Sequence, residues 1–443
     1  MAEQSVNSPA NHQIAQIILW GAPIGAVSWD AKRALAVFEY EPAFRRSGIE
    51  LAPLTMPLAT NQTTGPVYSF PALNPETYHG LPGLLADSLP DKFGNAVIDA
   101  WLVRQGIAKA DFSPLDRLCY IGTRGMGALE FRPANYSRKR KAQPVAVDEL
   151  VALANEVLSD RAALRVDLDD EDKQQTMNDS LQVGVSAGGA RAKAIIAWNP
   201  ETNEVRSGQV KAPDGFGYWL LKFDGVTRNR DKEALADPQG YGLIEYAYYL
   251  MATAAGINMA ECRLLKENGR HHFMARRFDR TDQGEKLHMQ TLCGIAHYDF
   301  NAAGAYGYEQ ALAVIETLKL GKDTIEQQFR RMVFNVAARN QDDHTKNIAF
   351  LMNQAGRWSL SPAYDVNLAF NPHGQWTHLH QMSVNGKRKG ITRDDFLTIA
   401  QRFRITKPRA INIIADVENA IVRWPEFAKT AGVSDQNIKR IGE

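Results

Sequence analysis

Asn340-Gln341-Asp342-Asp343-His344-Thr345-Lys346-Asn347, followed after a short apolar stretch by Pro362-Ala363-Tyr364-Asp365, is the part of the chain whose reading decides the fold. It sets a carboxylate, an amide five positions on, and a second carboxylate beyond what reads as a strand pair. Phosphoryl transfer asks little covalent chemistry of a protein: one group to orient and deprotonate the attacking hydroxyl, and oxygen ligands to hold a metal ion on the phosphates. Asp342 suits the first task, and Asn347 with Asp365 suits the second. Residues 348–351 predict a strand, 353–356 a turn and 358–360 the return strand, so a hairpin can carry Asp365 back beside Asn347. Lys346 is placed to touch the transferring phosphate, and His344 to brace the loop. The plainer alternative is a solvated, helix-ending turn, since Asp and Asn favour such positions. The interval, the hairpin and Asp365 together favour the site.

Upstream, Ile325, Phe329, Met332, Val333 and Val336 recur at spacings of three and four, which predicts a helix over 325–338 with one buried face. Tyr218-Trp219-Leu220-Leu221-Lys222-Phe223 reads as a strand with one cation among large apolar neighbours. A buried unpaired ammonium is costly, so Lys222 either snorkels to water from an edge strand or meets an anion. In a nucleotide site that anion is ATP phosphate, and Glu245, on a helix expected over 243–255 and stopped at Gly256, is the best carboxylate to steady the lysine. Ser186-Ala187-Gly188-Gly189-Ala190-Arg191-Ala192-Lys193 leads into a further strand at 194–198. Adjacent glycines let backbone amides approach an anion, and a following cation adds charge, although no Lys-Ser or Lys-Thr closes the loop as in a Walker A motif. A glycine turn between strands fits the segment equally well. Ser186 could itself accept a phosphoryl group. Arg277 and Phe278, after a strand at 272–275, stand where a connector between two lobes presents backbone groups to adenine.

At 443 residues the chain exceeds one ordinary core and predicts two or three structural units. Lys and Arg total 51 against 50 Asp and Glu, so no charge excess draws it to nucleic acid or an anionic membrane. The basic runs 138–141 and 387–389 lack interleaved aromatics and read as a solvated linker and a hairpin turn after Asn385-Gly386. Cys119, Cys262 and Cys293 stand in no metal spacing and read as free buried thiols of a reducing cytoplasm. His378 and His380, on a possible strand, lack a third ligand, so no zinc site is expected. Residues 1–12 lack the layout of a signal peptide, and no apolar run approaches the roughly 20 residues that span a bilayer. The expectation is a cytoplasmic protein without a membrane partner. Residues 14–40 read as short strands of a small antiparallel sheet, 92–102 and 148–158 as helices, and 119–122 and 127–131 as strands around a turn. The basic run meeting Pro144 marks the end of a first domain.

Taken together these stretches make the chain resemble the HipA-type serine/threonine kinases, toxins of bacterial toxin-antitoxin modules. The resemblance covers nearly the whole sequence. It is carried by Gly83-Leu84-Leu85-Ala86-Asp87-Ser88-Leu89-Pro90-Asp91, the 186–193 loop, Leu221-Lys222, Arg277-Phe278-Asp279-Arg280, the 342–347 motif and Tyr364-Asp365-Val366. It implies an α+β fold class: a small β-containing N-terminal subdomain over 1–143, then an atypical protein-kinase-like fold. In that fold a mixed N-lobe over 144–280 carries the phosphate-binding loop, and a mainly helical C-lobe over 281–443 carries the catalytic loop. It implies ATP and Mg²⁺ as cofactors, Asp342 and Lys346 as catalytic, and Asn347 and Asp365 as metal ligands. Lys222, Ser186, Ala187, Gly188, Gly189, Ala190, Arg277, Phe278 and His344 are then the ATP-binding set, with Ser186 the autophosphorylated serine whose modification silences the kinase. The implied partners are a small helix-turn-helix antitoxin like HipB, DNA only through that antitoxin, and a protein substrate such as an aminoacyl-tRNA synthetase. The loop departs from the usual family pattern, with Ala187-Gly188-Gly189 and Arg191-Ala192 in place of bulkier, more acidic residues. A reading from another class is a catalytically idle, kinase-shaped co-repressor, against which the intact set Lys222, Asp342, Asn347 and Asp365 argues.

Overall fold

Period-two alternation of apolar side chains builds the first sheet from β1 (Ile14–Leu19), β2 (Ala22–Asp30), β3 (Leu35–Tyr40), β4 (Val67–Tyr68) and β5 (Leu129–Arg132), in the order β4-β3-β2-β1-β5. The register sets Ile17, Leu19, Val27, Phe38, Tyr40, Leu129 and Phe131 on one face, where they pack with Leu51, Leu85, Leu115 and Leu118. The computed structural model describes residues 12–59, 64–104, 106–133, 147–148, 150–151, 191–209, 211–226, 240–281 and 283–443. The 186–190 loop, the 138–141 run and most of the helix expected at 148–158 lie outside the described residues.

One local expectation fails. Residues 119–121 do not form a strand but end the Pro114–Ile121 helix. Ser113 caps that helix by accepting the Asp116 N–H at 3.1 Å while the Asp116 carboxylate accepts the Ser113 N–H at 2.9 Å, and Pro114 opens the first turn. The Ser-Pro-x-Asp spacing carried that signal, and the strand-like composition of Cys119-Tyr120-Ile121 hid it.

The second sheet runs β7-β6-β8-β10-β9, from β6 (Lys193–Trp198), β7 (Val205–Ser207), β8 (Gly217–Lys222), β9 (Cys262–Glu267) and β10 (Arg270–Arg276). Ala194, Ile196, Trp219, Leu221 and Met274 cover one face with Val97 and Trp101 of the Lys92–Arg104 helix and with Tyr120. This apolar core therefore crosses residue 143, because helices from the first part of the chain complete the second sheet. The opposite face carries Lys193, Lys222 and Phe273 in one register row. A third sheet joins β11 (His288–Thr291) to the expected hairpin, β12 (Ala349–Met352) and β13 (Trp358–Leu360). Helices Tyr241–Ala254, Tyr308–Thr317, Lys322–Ala337, Arg393–Arg402, Lys407–Val422 and Trp424–Ala431 pack around Phe329, Met332, Ile413 and Trp424. The three cysteines are free and buried. Among the described residues no helix is long and apolar enough to cross a membrane.

Among the contacts that lock the N-terminal sheet to the rest, two junctions are buried and closely fitted. At the first, the Gly83–Ala86 helix sits against the Leu292–Ala296 helix so closely that a Cβ on Gly83 would collide with the Gly294 carbonyl. A Cβ on Gly294 would in turn collide with the Asp87 carboxylate, which accepts the Thr291 N–H at 2.7 Å and the Thr291 hydroxyl at 2.8 Å. The Gly83 N–H donates to His297 Nε2 at 3.0 Å. At the second, buried Asp279 accepts from Arg277 (2.9 and 2.7 Å), Arg280 (2.7 Å) and the Gly127 N–H (2.7 Å), while Arg280 also reaches the Gly125 carbonyl at 3.1 Å. Burial alone would raise the Asp279 pKa, but the Arg277 and Arg280 charges outweigh it and hold the carboxyl below its usual range.

Gly294→Ala should lower stability by about 1–3 kcal/mol through overpacking at the first junction, read as the denaturant midpoint. His297 accepts at Nε2 only while neutral, and burial lowers its pKa to about 4. A folded-state pKa below the unfolded value of about 6.5 means that its contribution is present above that pH and is lost as pH falls. The His297 contribution should therefore fade between pH of about 6.5 and about 4, read as the difference in pH slope of stability between the parent chain and His297→Gln; no difference in slope would remove His297 from the junction.

Candidate active site

The Lys322–Ala337 helix delivers the chain to a loop tied back to it by the Asn340 N–H, which donates to the Asn335 carbonyl at 2.9 Å, and by the Asn340 side-chain amide, 3.0 Å from Asn335 Oδ1. Asn347 closes the loop by donating its amide to the Asp342 carbonyl at 2.7 Å. The two adjacent aspartates take opposite environments. Asp343 is buried and accepts from the Tyr308 hydroxyl (2.8 Å), His380 Nδ1–H (2.9 Å) and the Gln381 N–H (2.7 Å), so it anchors the loop. Asp342 faces outward with its side chain 38% exposed, which leaves it accessible to a substrate. Its Oδ1 accepts from Trp376 Nε1–H at 2.6 Å and lies 3.9 Å from His344 Nε2. His380, expected on a strand, lies in a loop with Asp343 for its partner.

Across the hairpin, the Tyr364 hydroxyl donates to the Lys346 carbonyl at 2.5 Å and so brings the Tyr-Asp pair to the end of the Asp342–Asn347 loop. Asp365 adopts φ +55°, a left-handed conformation that a non-glycine residue holds only when its surroundings demand it. Its Oδ1 lies 2.6 Å from Lys222 Nζ, and the same ammonium contacts Glu245 Oε1. Lys222 thus does not snorkel: it is buried and bridges two carboxylates. Gly242 makes this possible, since a Cβ there would collide with the His271 carbonyl and keep the Tyr241–Ala254 helix, with Glu245, away from β10.

Burial would lower the Lys222 pKa, but Asp365 and Glu245 outweigh it and raise it above the ordinary lysine value. Burial opposes the Asp365 charge too, yet Lys222 and then Lys193 hold that carboxyl below its usual range. Glu245 is displaced the other way, its burial exceeding the pull of Lys222. Lys193, directly opposite Lys222 in the sheet, pairs with Asp91 of the N-terminal signature at 3.3 Å. Lys346 places its ammonium 4.5 Å from the centre of the Phe300 ring, and its charge offsets part of the burial that pushes the Asp87 carboxyl up to about 6.

Of the residues expected around a nucleotide, Lys222, His344 and Asp365 are brought together, and His344 Nδ1 is buried with no hydrogen-bond partner among the described residues. Phe278 lies 5.3 Å from the Tyr364 ring. The Arg277 N–H donates to the Tyr218 carbonyl at 2.9 Å and its guanidinium binds Asp279 through Nε and Nη2, while Nη1 is buried with no hydrogen-bond partner among the described residues. Ser186, Ala187, Gly188, Gly189 and Ala190 lie outside the described residues. Among the described residues no three His, Cys, Asp or Glu side chains group as a metal site. Magnesium on a nucleotide needs only one or two protein carboxylates or amides beside phosphate and water oxygens, and the oxygen chemistry of Asn347 and Asp365 fits that demand. Asp343, Tyr308, Trp376 and the Lys193–Asp91 pair were not singled out as site residues from sequence, because their partners come from distant segments with no fixed spacing.

A family model described as the HipA-like C-terminal domain matches residues 185–424, more than half of the chain, and one described as the HipA N-terminal domain matches residues 15–132. Among solved structures, the chain is similar to HipA of the Shewanella oneidensis MR-1 toxin-antitoxin complex with HipB and its operator DNA. The identity is 14% and the TM-score 0.64, over 97% of this chain and 94% of that one. A Helicobacter pylori proinflammatory kinase, CtkA, aligns at 11% identity and a TM-score of 0.33 over 55% of this chain and 92% of that one, too slight a likeness to bear weight. A search of curated proteins gives no match. The likeness over the full chain shows the fold: an N-terminal sheet subdomain followed by a kinase-like region.

Removing Lys222 leaves the buried Glu245 carboxylate facing the half-buried carboxylate of Asp365 without a counter-ion. Lys222→Met should cost about 3–5 kcal/mol in a urea titration. The double variant Lys222→Met with Glu245→Met should cost less than the sum of the singles, because the stranded charge is removed with its partner.

Proposed function

The chain belongs to the HipA family, and from that premise we propose that it is an ATP- and Mg²⁺-dependent kinase that transfers the γ-phosphoryl group to a serine or threonine hydroxyl of a protein. The observation that carries this reading is the meeting of Lys222, Glu245 and Asp365, with Asp365 drawn beside the Asp342–Asn347 loop by the Tyr364–Lys346 hydrogen bond. In the proposed reaction Lys222, steadied by Glu245, offers its ammonium to the nucleotide phosphates. Asp342 orients the acceptor hydroxyl and takes its proton as the oxygen attacks phosphorus in line with the departing ADP. Asn347 and Asp365 would hold the magnesium ion, which when bound would supply positive charge to neutralise the transferring group. His344 and Lys346 belong to the same loop as Asp342, and Phe278 belongs to the connector beside the nucleotide.

Ser186 to Ala190 are proposed to cover the phosphates, with Ser186 as an autophosphorylation site. The proposed partner is a small operator-binding antitoxin of the HipB kind, supported by the likeness of the chain to HipA in its complex with HipB and operator DNA. Contact with DNA is then through the antitoxin alone, and the protein acts in the cytoplasm.

Purified protein given radiolabelled MgATP should incorporate phosphate into itself or a protein acceptor, and Asp342→Ala should reduce the rate by about 10²-fold or more. Undiminished incorporation in that variant would overturn the assignment. Mass spectrometry of the same reaction should find the phosphate on Ser186; its absence under turnover would remove that serine from the reaction.

A further inference from the structure

The segment that follows the Asp365 turn holds both aspartates of the loop at once. Trp376 Nε1–H donates to Asp342 Oδ1 at 2.6 Å, while His380 and the Gln381 N–H hold Asp343 at 2.9 and 2.7 Å. Gln381 closes the circuit, its side-chain amide donating to the Trp376 carbonyl at 2.6 Å. The strand of chain is pinned from outside as well: the Gly304 N–H donates to the Gln381 carbonyl at 2.9 Å and Arg388 Nε to the His380 carbonyl at 2.6 Å. The backbone that carries the indole is therefore fixed to the aspartate next to the one the indole touches.

An aspartate carboxylate turns over a broad range about its last torsion unless something stops it. Burial does not stop Asp342, whose side chain is 38% exposed. A short N–H···O⁻ bond from an anchored donor does. We propose that Trp376 is a positioning residue, whose indole N–H fixes the plane of the Asp342 carboxylate so that an acceptor hydroxyl meets it in one orientation. This rests on the reading of Asp342 as the group that takes the hydroxyl proton. Trp376 keeps its own proton throughout, and the proton released by the acceptor passes to Asp342 as the new P–O bond forms.

Two measurements on the full chain separate failure of this proposal from failure of the kinase reading. In ¹H–¹⁵N spectra the indole resonance that disappears in Trp376→Phe identifies Trp376, and it should be the indole most displaced in Asp342→Asn; an unmoved resonance overturns the contact. In single-turnover assays with radiolabelled MgATP, and dephosphorylated casein or the chain itself as acceptor, Trp376→Phe should slow transfer about 10- to 100-fold, the scale of a small misplacement of a reacting group. The dissociation constant for MgATP should stay unchanged. Equal losses of rate and nucleotide affinity, or a rate unchanged or faster, would overturn the positioning role. Absence of transfer by the unsubstituted protein would overturn the kinase reading, and the positioning role with it, even where the indole resonance responds.

Discussion

One buried ammonium sets the terms for the rest of the molecule. Lys222 sits at the centre of the second sheet, where an uncompensated charge would be very costly, and it is compensated from two directions: Glu245 from a helix and Asp365 from beyond the third sheet. Satisfying it requires a helix that can approach β10 at Gly242 and a backbone at Asp365 held at φ +55°. It also fixes where the Asp342–Asn347 loop lies, because Tyr364, one residue before Asp365, is bonded to the carbonyl of Lys346. A strand, a helix and a loop that are far apart in sequence are thereby held to one geometry by charge rather than by apolar packing alone.

The same electrostatics reach into the N-terminal sheet subdomain. Asp91 pairs with Lys193, which stands beside Lys222, and Asp87 is bonded to Thr291 and feels the charge of Lys346. Both aspartates come from the Gly83–Asp91 signature, whose close fit depends on glycines at 83 and 294. With the Lys92–Arg104 helix completing the core of the second sheet, the first part of the chain is built into the kinase-like region rather than appended to it.

Legibility in the sequence followed the range of the interaction. The hairpin at 349–360, the helix ending before Asn340, the strand bearing Lys222 and its partner Glu245 could be read because each rests on local periodicity or on a chemistry that needs few residue types. The Ser113–Asp116 capping box was also local, and was missed because β-prone residues at 119–121 outweighed it. The roles of Asp343, His380 and Trp376 could not be read, since no spacing rule links a loop aspartate to an indole or imidazole more than thirty positions away. The pairing of Arg277 with Asp279 at the junction with the N-terminal sheet, two positions apart, was likewise not read from the sequence.

Calorimetric titration of the full chain with ATP, with Mg²⁺ and then with the metal chelated, tests the central claim most directly. If Lys222 and Asp365 meet in order to receive a metal-bound nucleotide, binding is expected with Mg²⁺ and should be greatly weakened by chelation, by Asp365→Asn and by Lys222→Met. Absence of ATP binding, or binding indifferent to the metal and to both substitutions, would contradict it.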